Sequence, residues 1–397
     1  MVMENKIIPA KRVEEIKEYW FAGKMREVAA MNAHGLDVIS LGVGGPDRMP
    51  SSEVIDTLCR SAQSEGNHTY QIASGIPQLR EAMSKWYLDH YGVILNPDSE
   101  ILPLIGSKEG ILHISLAFLN PGDRVLVPNP GYMTYTGVSK MLGAEVVCYD
   151  LKENNNWQPD FDQLDQLASE GEIKLMWVNY PNMPTGACAS ISLFKRLIDF
   201  GKRHGIVIVH DNPYSFILND NPLSILQIEG ALKIAIELNS LSKSHNMAGW
   251  RMGMVSSNAD FISWIRKMKS NIDSGQFKPV MEAAIKALLL PDTWYENLNN
   301  IYRGRRKVAE KIMTALGCSF DMSQRGLFLW GKLPYGKTDS AKFADRILKG
   351  ARVFIVPGFI FGSNGEGYIR ISLCAAEEKM MIALKRIEEF NKCNNDF

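Results

Sequence analysis

The sequence predicts an α/β fold, with a large unit built on a mostly parallel seven-stranded sheet and a smaller α+β unit beside it. Three observations lead there. The chain has 397 residues, too many for one ordinary core, which implies one large domain and one smaller one. Through its middle, seven short apolar runs alternate with helical periodicity, the pattern of a sheet covered on both faces. Beyond residue 292 the order changes: a long helical stretch comes first, then strands and helices of another unit.

A first helix is expected over about Val13–Ala29, packed with the smaller unit. The seven apolar runs are Ile101–Ile105, Arg124–Pro128, Glu145–Tyr149, Lys174–Asn179, Ile206–Asp211, Ala235–Asn239 and Arg251–Ser256. Helical spacing lies between them, as in Phe161–Leu167 and Ser192–Arg203. A long helix is expected over Thr293–Leu316. Strand-like Phe328–Lys332, Val353–Val356 and Tyr368–Leu373 follow, with a helix at Ala341–Leu348 and a last one at about Glu377–Asn391. The expected domains are 48–292, and 1–47 together with 293–397.

Composition excludes several function classes. Lys+Arg and Asp+Glu both number 44, so nothing suggests nucleic acid or an anionic membrane as partner. No apolar run approaches the roughly 20 residues that cross a bilayer. Met1 to Lys17 lacks an apolar signal core. The six cysteines are scattered without a C-x-x-C pair, which fits reduced thiols and no zinc site or other metal centre. A cytoplasmic protein is the expectation.

The residues that can carry chemistry follow predicted strands, where open α/β sheets bind ligands. Lys243, in Ser240-Leu241-Ser242-Lys243, can form an imine, and Ser240 and Arg251 can hold a phosphate. That combination points to pyridoxal 5'-phosphate (PLP). Gly106-Ser107-Lys108 links a strand to a helix start, an anion site in principle; alone it reads as an ordinary N-cap. Asp211 ends an apolar strand, and a carboxylate buried there needs a partner such as a protonated ring nitrogen. Alone it reads as a cap for the segment after Pro213. Tyr214 can donate to a ring oxygen and Tyr132 can stack on a ring face. Arg370, between two isoleucines, suits a substrate carboxylate or a solvated sheet face.

These pieces form a series along the chain. Leu41-Gly42-Val43-Gly44-Gly45-Pro46-Asp47 opens it, then Tyr70 with Gly75-Ile76-Pro77-Gln78-Leu79-Arg80, Gly106-Ser107 and Asn129-Pro130-Gly131-Tyr132. Pro184-Thr185-Gly186, Asp211-Asn212-Pro213-Tyr214, Ser240 through Gly253, Gly326-Leu327-Phe328-Leu329-Trp330 and Arg370-Ile371-Ser372 complete it. Together they resemble the class I/II aminotransferases of the aspartate aminotransferase superfamily, the fold-type-I PLP enzymes. The resemblance covers nearly the whole chain. It implies that Lys243 carries PLP as a Schiff base, Asp211 pairs with the pyridine nitrogen, and Tyr214 with the ring oxygen. Ser107, Lys108 through its backbone, Ser240 and Arg251 would hold the phosphate, and Tyr132 would stack. Arg370 would clamp the substrate carboxylate near Gly44. Tyr70 would reach the other subunit's phosphate, which implies a homodimer.

One position departs from the family pattern. Met183 stands where the family has an Asn that donates to the ring oxygen, and a thioether cannot donate. Either Asn182 substitutes or Tyr214 acts alone.

The implied reaction is ping-pong transfer of an amino group from an L-amino acid to a 2-oxo acid such as 2-oxoglutarate. Carbon–sulfur lyases share the scaffold, and non-catalytic PLP-binding regulators are a third class. For the substrate side chain, Lys267, Lys269 and Lys278 are candidate second cations. Tyr19, Trp20 and Phe21 are expected to pack on the smaller unit rather than line a pocket.

Overall fold

The computed structural model describes residues 7–16, 18 and 20–393. Its largest sheet has seven strands in the spatial order Ile101–Leu104, Gly253–Ser256, Ala235–Ser240, Val207–Asp211, Ile173–Asn179, Arg124–Asn129, Glu145–Asp150. Each of the seven apolar runs supplies one strand. Gly253–Ser256 is antiparallel to both neighbours and every other pairing but these two is parallel. The central strands are buried along nearly their whole length because helices cover both faces, so they read as continuous apolar runs.

The topology places the site. The six like-directed strands end at one edge, at Leu104, Asn129, Asp150, Asn179, Asp211 and Ser240. The reversed strand begins at that edge, since Gly253 pairs with both Leu104 and Ser240. Arg251 therefore comes to the same edge from the opposite chain direction. It does not start the strand, as its run suggested. It sits in the preceding turn with φ +56°, and the strand begins at Gly253.

The other strands form two small sheets. Phe328–Lys332, Tyr368–Ser372 and Val356–Pro357 are antiparallel, and Ile39–Ser40 runs parallel to Val353–Phe354. The run Val353–Val356 thus splits at Ile355 between two sheets. The long helix Asp292–Ala315 buries Tyr295, Leu298, Tyr302, Arg305, Ala309 and Ile312, a stripe at helical spacing.

The first helix differs from expectation. Two helices form, Lys11–Glu15 and Trp20–Ala33, and Ile16 between them is extended. Trp20 stacks on Phe354 at 6.4 Å and meets Phe359 edge-on at 6.1 Å. Those contacts fix the second helix against the small sheets. Tyr19 lies outside the described residues. Among the described residues, no helix is long and apolar enough to cross a membrane.

Candidate active site

A cavity of about 390 Å³ opens at the carboxyl edge of the large sheet. Ten of the residues singled out in the sequence line it: Gly44, Ser107, Lys108, Tyr132, Asp211, Tyr214, Ser240, Lys243, Arg251 and Arg370.

Lys243 lies in the short helix Leu241–Ser244, directly after the strand that ends at Ser240. Its Nζ donates to the Gly44 carbonyl at 2.7 Å. Burial pushes its pKa down, and the Arg251 and Arg370 charges push the same way; Cys374 and Asp211 oppose them. The Gly44 loop is held by Asp47, which takes a two-pronged ion pair from buried Arg305 at 2.7 and 2.8 Å. A side chain at position 44 would collide with the Phe328 ring, so the carbonyl approaches Lys243 only through glycine.

Asp211 is buried at a strand end. One oxygen, Oδ2, accepts from the Tyr135 hydroxyl at 2.7 Å. The other, Oδ1, is buried with no hydrogen-bond partner. Burial lifts the carboxyl to about 6, against Tyr135, His210 and Lys243, which pull it down. Asp211 is therefore no helix cap. It is a half-paired acid facing a cavity, and a buried orphan oxygen of this kind calls for a donor.

The phosphate-type groups meet at the reversed strand. Ser107 begins the helix Ser107–Phe118, so the helix's N-terminal amides lie at the sheet edge. Gly106 before it has φ +80°, and a Cβ there would sit 2.2 Å from Arg251 Nη2. The guanidinium thus lies against the glycine, and Arg251 Nη1 also donates to Ala248 O at 2.9 Å. Ser240 Oγ caps its own helix by accepting from Ser242 N at 3.1 Å. Loop amides, hydroxyls and a guanidinium converge here, which suits an anion.

Arg370 is not on a solvated face. It is 4% exposed, and its guanidinium lies 3.9 Å from the Phe328 ring centroid, 4.8 Å from Phe361 and 5.5 Å from Phe21. Nη2 donates to Gly42 O at 2.8 Å, and Nη1 meets Met183 Sδ at 3.2 Å. Tyr214 meets Phe328 edge-on, and burial pushes its phenol well above the usual range.

Two of the singled-out residues are elsewhere. Asn182 does not line the cavity. Its amide is spent inside the turn: Nδ2 donates to Asn179 O, and Oδ1 accepts from Thr185 N and Oγ1. Those bonds hold the amide inside the turn. Met183 itself faces the cavity. Tyr70 is 92% exposed, in the loop after Glu65–His68. Arg80 anchors that loop's far end, donating to Gly75 O at 2.8 Å and pairing with Asp98 at 2.8 Å.

Sequence reasoning missed Asn179, Tyr135, Phe21, Met25 and Phe361, which also line the cavity. Asn179 ends its strand beside Asp211, its register partner, and donates to the Asp211 carbonyl at 2.7 Å. The signal was a polar residue closing an apolar run, as at Asp211. Tyr135 follows Tyr132 by three residues at a helix start, so both fall on one face. Phe21 belongs to the pocket wall, contrary to expectation, while Trp20 packs on the smaller unit as expected. Of the candidate cations, Lys269 is buried in an ion pair with Asp273 at 2.6 Å, beside Glu109 and His113. Its ammonium supplies the positive charge in that acidic cluster. None of Lys267, Lys269 and Lys278 lines the cavity.

The donor set fits PLP. Asp211 Oδ1 is buried with no hydrogen-bond partner, Ser107, Ser240 and Arg251 converge as donors suited to a phosphate, and burial disfavours the charged form of Lys243. Comparisons with known proteins agree. Residues 36–387 match the family described as aminotransferase class I and II. An LL-diaminopimelate aminotransferase from Dehalococcoides mccartyi is 40% identical over 383 residues, covering 96% of this chain and 98% of that protein. A substrate-bound BacF structure from Bacillus subtilis superposes with a TM-score of 0.93 at 32% identity, covering 97% of this chain and 98% of the other. A single mutant of Thermus thermophilus aspartate aminotransferase shares the fold, with a TM-score of 0.89 at 24% identity over 97% and 100% of the two chains. The chain belongs to the class I and II aminotransferases, a PLP-dependent family of fold type I.

Proposed function

We propose that this chain moves the amino group of an L-amino acid to 2-oxoglutarate in a ping-pong cycle at Lys243. The observation that carries the reading is one cavity shared by Lys243, a half-paired Asp211 and a buried Arg370. PLP, when bound, supplies the electron sink created by a protonated ring nitrogen. Asp211 holds that proton through Oδ1. The Ser107 and Lys108 amides, Ser240 and Arg251 hold the phosphate, Tyr132 stacks on the ring, and Tyr214 donates to the ring oxygen. Arg370 and the Gly44 loop fix the substrate carboxylate. Lys243 Nζ, whose pKa is pushed down by burial and by two nearby guanidinium charges, takes the proton from the substrate α-carbon. Residues 48–292 form the cofactor-binding domain, and the remainder forms the small domain that brings Arg370.

Tyr70 completes the neighbouring subunit's phosphate site in a homodimer, a reading supported by its exposure on a loop anchored through Arg80. Mixing Tyr70→Ala and Lys243→Ala subunits tests it. Hybrids regain activity if the site is shared, and none returns if each chain is self-sufficient.

The donor is tested with a panel and 2-oxoglutarate as acceptor. The relatives' names make LL-diaminopimelate one arm. The wall of Phe21, Met25 and Phe361 favours a donor with an apolar side chain and makes that the other arm. Turnover by no amino acid would overturn the aminotransferase reading.

A further inference from the structure

The cavity face of the central sheet carries Asp211; the opposite face carries a buried pair that the reaction does not use. His210 and Glu237 are fully buried on adjacent strands and are register partners. His210 Nδ1 lies 2.8 Å from Glu237 Oε2, and its Nε2 lies 2.9 Å from the Tyr180 carbonyl. A carbonyl oxygen has no proton to give, so Nε2 donates. Glu237 also accepts from the Ile225 N–H at 3.0 Å, on the same oxygen that meets His210, and from Ser224 Oγ at 3.0 Å. Backbone and hydroxyl donors favour the carboxylate form. The proton between the two side chains therefore stays on Nδ1.

We infer that His210 is an imidazolium carrying both ring protons, a positioning residue whose fixed charge behind the sheet keeps Asp211 ionised. Neighbours on both faces fit. Around Asp211 stand Tyr135, Tyr214 and Lys243. Of these, Tyr135 already donates to the carboxylate and Tyr214 is neutral. Lys243 has to be uncharged while it acts as a base, so its charge cannot serve at that step. On the far face, Phe194 closes edge-on over His210 at 4.8 Å. Tyr87 and Tyr91 from the helix Pro77–Tyr91 approach Glu237; burial first and that carboxylate second hold both phenols neutral. Among the described residues around Asp211, His210 is thus the cation held by hydrogen bonds at both ring nitrogens, and it sits one residue away on the same strand.

The inference rests on reading Asp211 as the partner of the ring nitrogen. Its test is binding of pyridoxamine 5'-phosphate to the apoprotein, followed by fluorescence across pH. Affinity should fall on acidification through pH 6, as Asp211 takes up a proton. In His210→Gln/Glu237→Gln, which replaces the pair by neutral amides of similar shape, that midpoint should rise by about one pH unit. Asp211→Asn is the control. If it leaves the pH profile intact, the Asp211 reading fails. If it abolishes the profile and the double variant leaves the midpoint unmoved, only the His210 inference fails. Should the double variant not fold, the ring-nitrogen spectrum of ¹⁵N-histidine-labelled wild type decides. Two protonated nitrogens on His210 support the inference, and one unprotonated nitrogen overturns it.

Discussion

The two walls of the cavity are built on opposite plans. The wall from the large sheet is polar and sits at strand ends: Ser107, Asp211, Ser240 and Lys243 each follow or close a buried strand. The wall from the small sheets and the second helix is aromatic, and its one charge, Arg370, is enclosed by Phe21, Phe328 and Phe361. The first wall holds a buried acid oxygen with no hydrogen-bond partner, Asp211 Oδ1, and on the proposed reading it is the wall that would hold the cofactor. The second surrounds a single cation with ring faces, which keeps water from it; on the proposed reading it would meet one substrate carboxylate and leave the rest of the substrate apolar surroundings. On the proposed reading chemistry and selection are divided between two parts of the chain, and substitutions in each wall should fail differently.

The largest effect is expected at Lys243. Lys243→Ala should lower turnover by about 10⁴-fold or more, measured by single-turnover assay, because both the covalent link and the proton carrier go. Turnover near wild type would remove the polar wall's assigned role. Next is Asp211→Asn, with a loss of about 10²- to 10³-fold.

The same substitution should stabilise the apoprotein. The Asp211 carboxyl is raised to about 6, so its protonated form is favoured in the fold. Its contribution is present below the ordinary carboxylate range and is lost as pH climbs through 6. Apo Asp211→Asn should therefore melt above wild type at pH 7.5, by an amount corresponding to roughly 2–3 kcal/mol. The gap should close near pH 4. A variant that melts lower at pH 7.5 would contradict this.

The aromatic wall should show smaller, substrate-dependent effects. Arg370→Lys keeps the charge but loses the planar fork, so kcat/KM should drop about 10- to 100-fold. The loss should fall mainly on KM for both donor and acceptor, since each carries the carboxylate. An unchanged KM would move carboxylate binding elsewhere. The smallest effect belongs to Met183→Asn, which restores an amide donor beside Arg370. In the cofactor-loaded enzyme, the pH midpoint of the visible absorbance should fall by up to about one unit. An identical titration in both proteins would mean that Met183 costs the ring oxygen nothing.

The polar wall was the legible one. A carboxylate closing Ile206-Val207-Ile208-Val209-His210, or a lysine after a strand, conflicts with its setting, and that conflict can be read from local sequence. The seven strands were legible for the same reason: parallel strands buried on both faces leave unbroken apolar runs. The aromatic wall was not. Phe21 and Phe361 are ordinary core residues by type, and only tertiary packing turns them toward Arg370. The split of the first helix was hidden because Trp20 finds its partners, Phe354 and Phe359, more than 300 residues away. The placement of Asn182 was not legible either: two asparagines, Asn179 and Asn182, flank one turn, and Asn179 is the one that lines the cavity.

The most direct measurement is a half-reaction. Cofactor-loaded enzyme is mixed with one amino-acid donor and no acceptor. One equivalent of 2-oxo acid per Lys243 should form and then stop, the cofactor absorbance should change with it, and 2-oxoglutarate should restore the original spectrum. Continuous release of 2-oxo acid and ammonia without any acceptor would contradict amino transfer and identify a lyase.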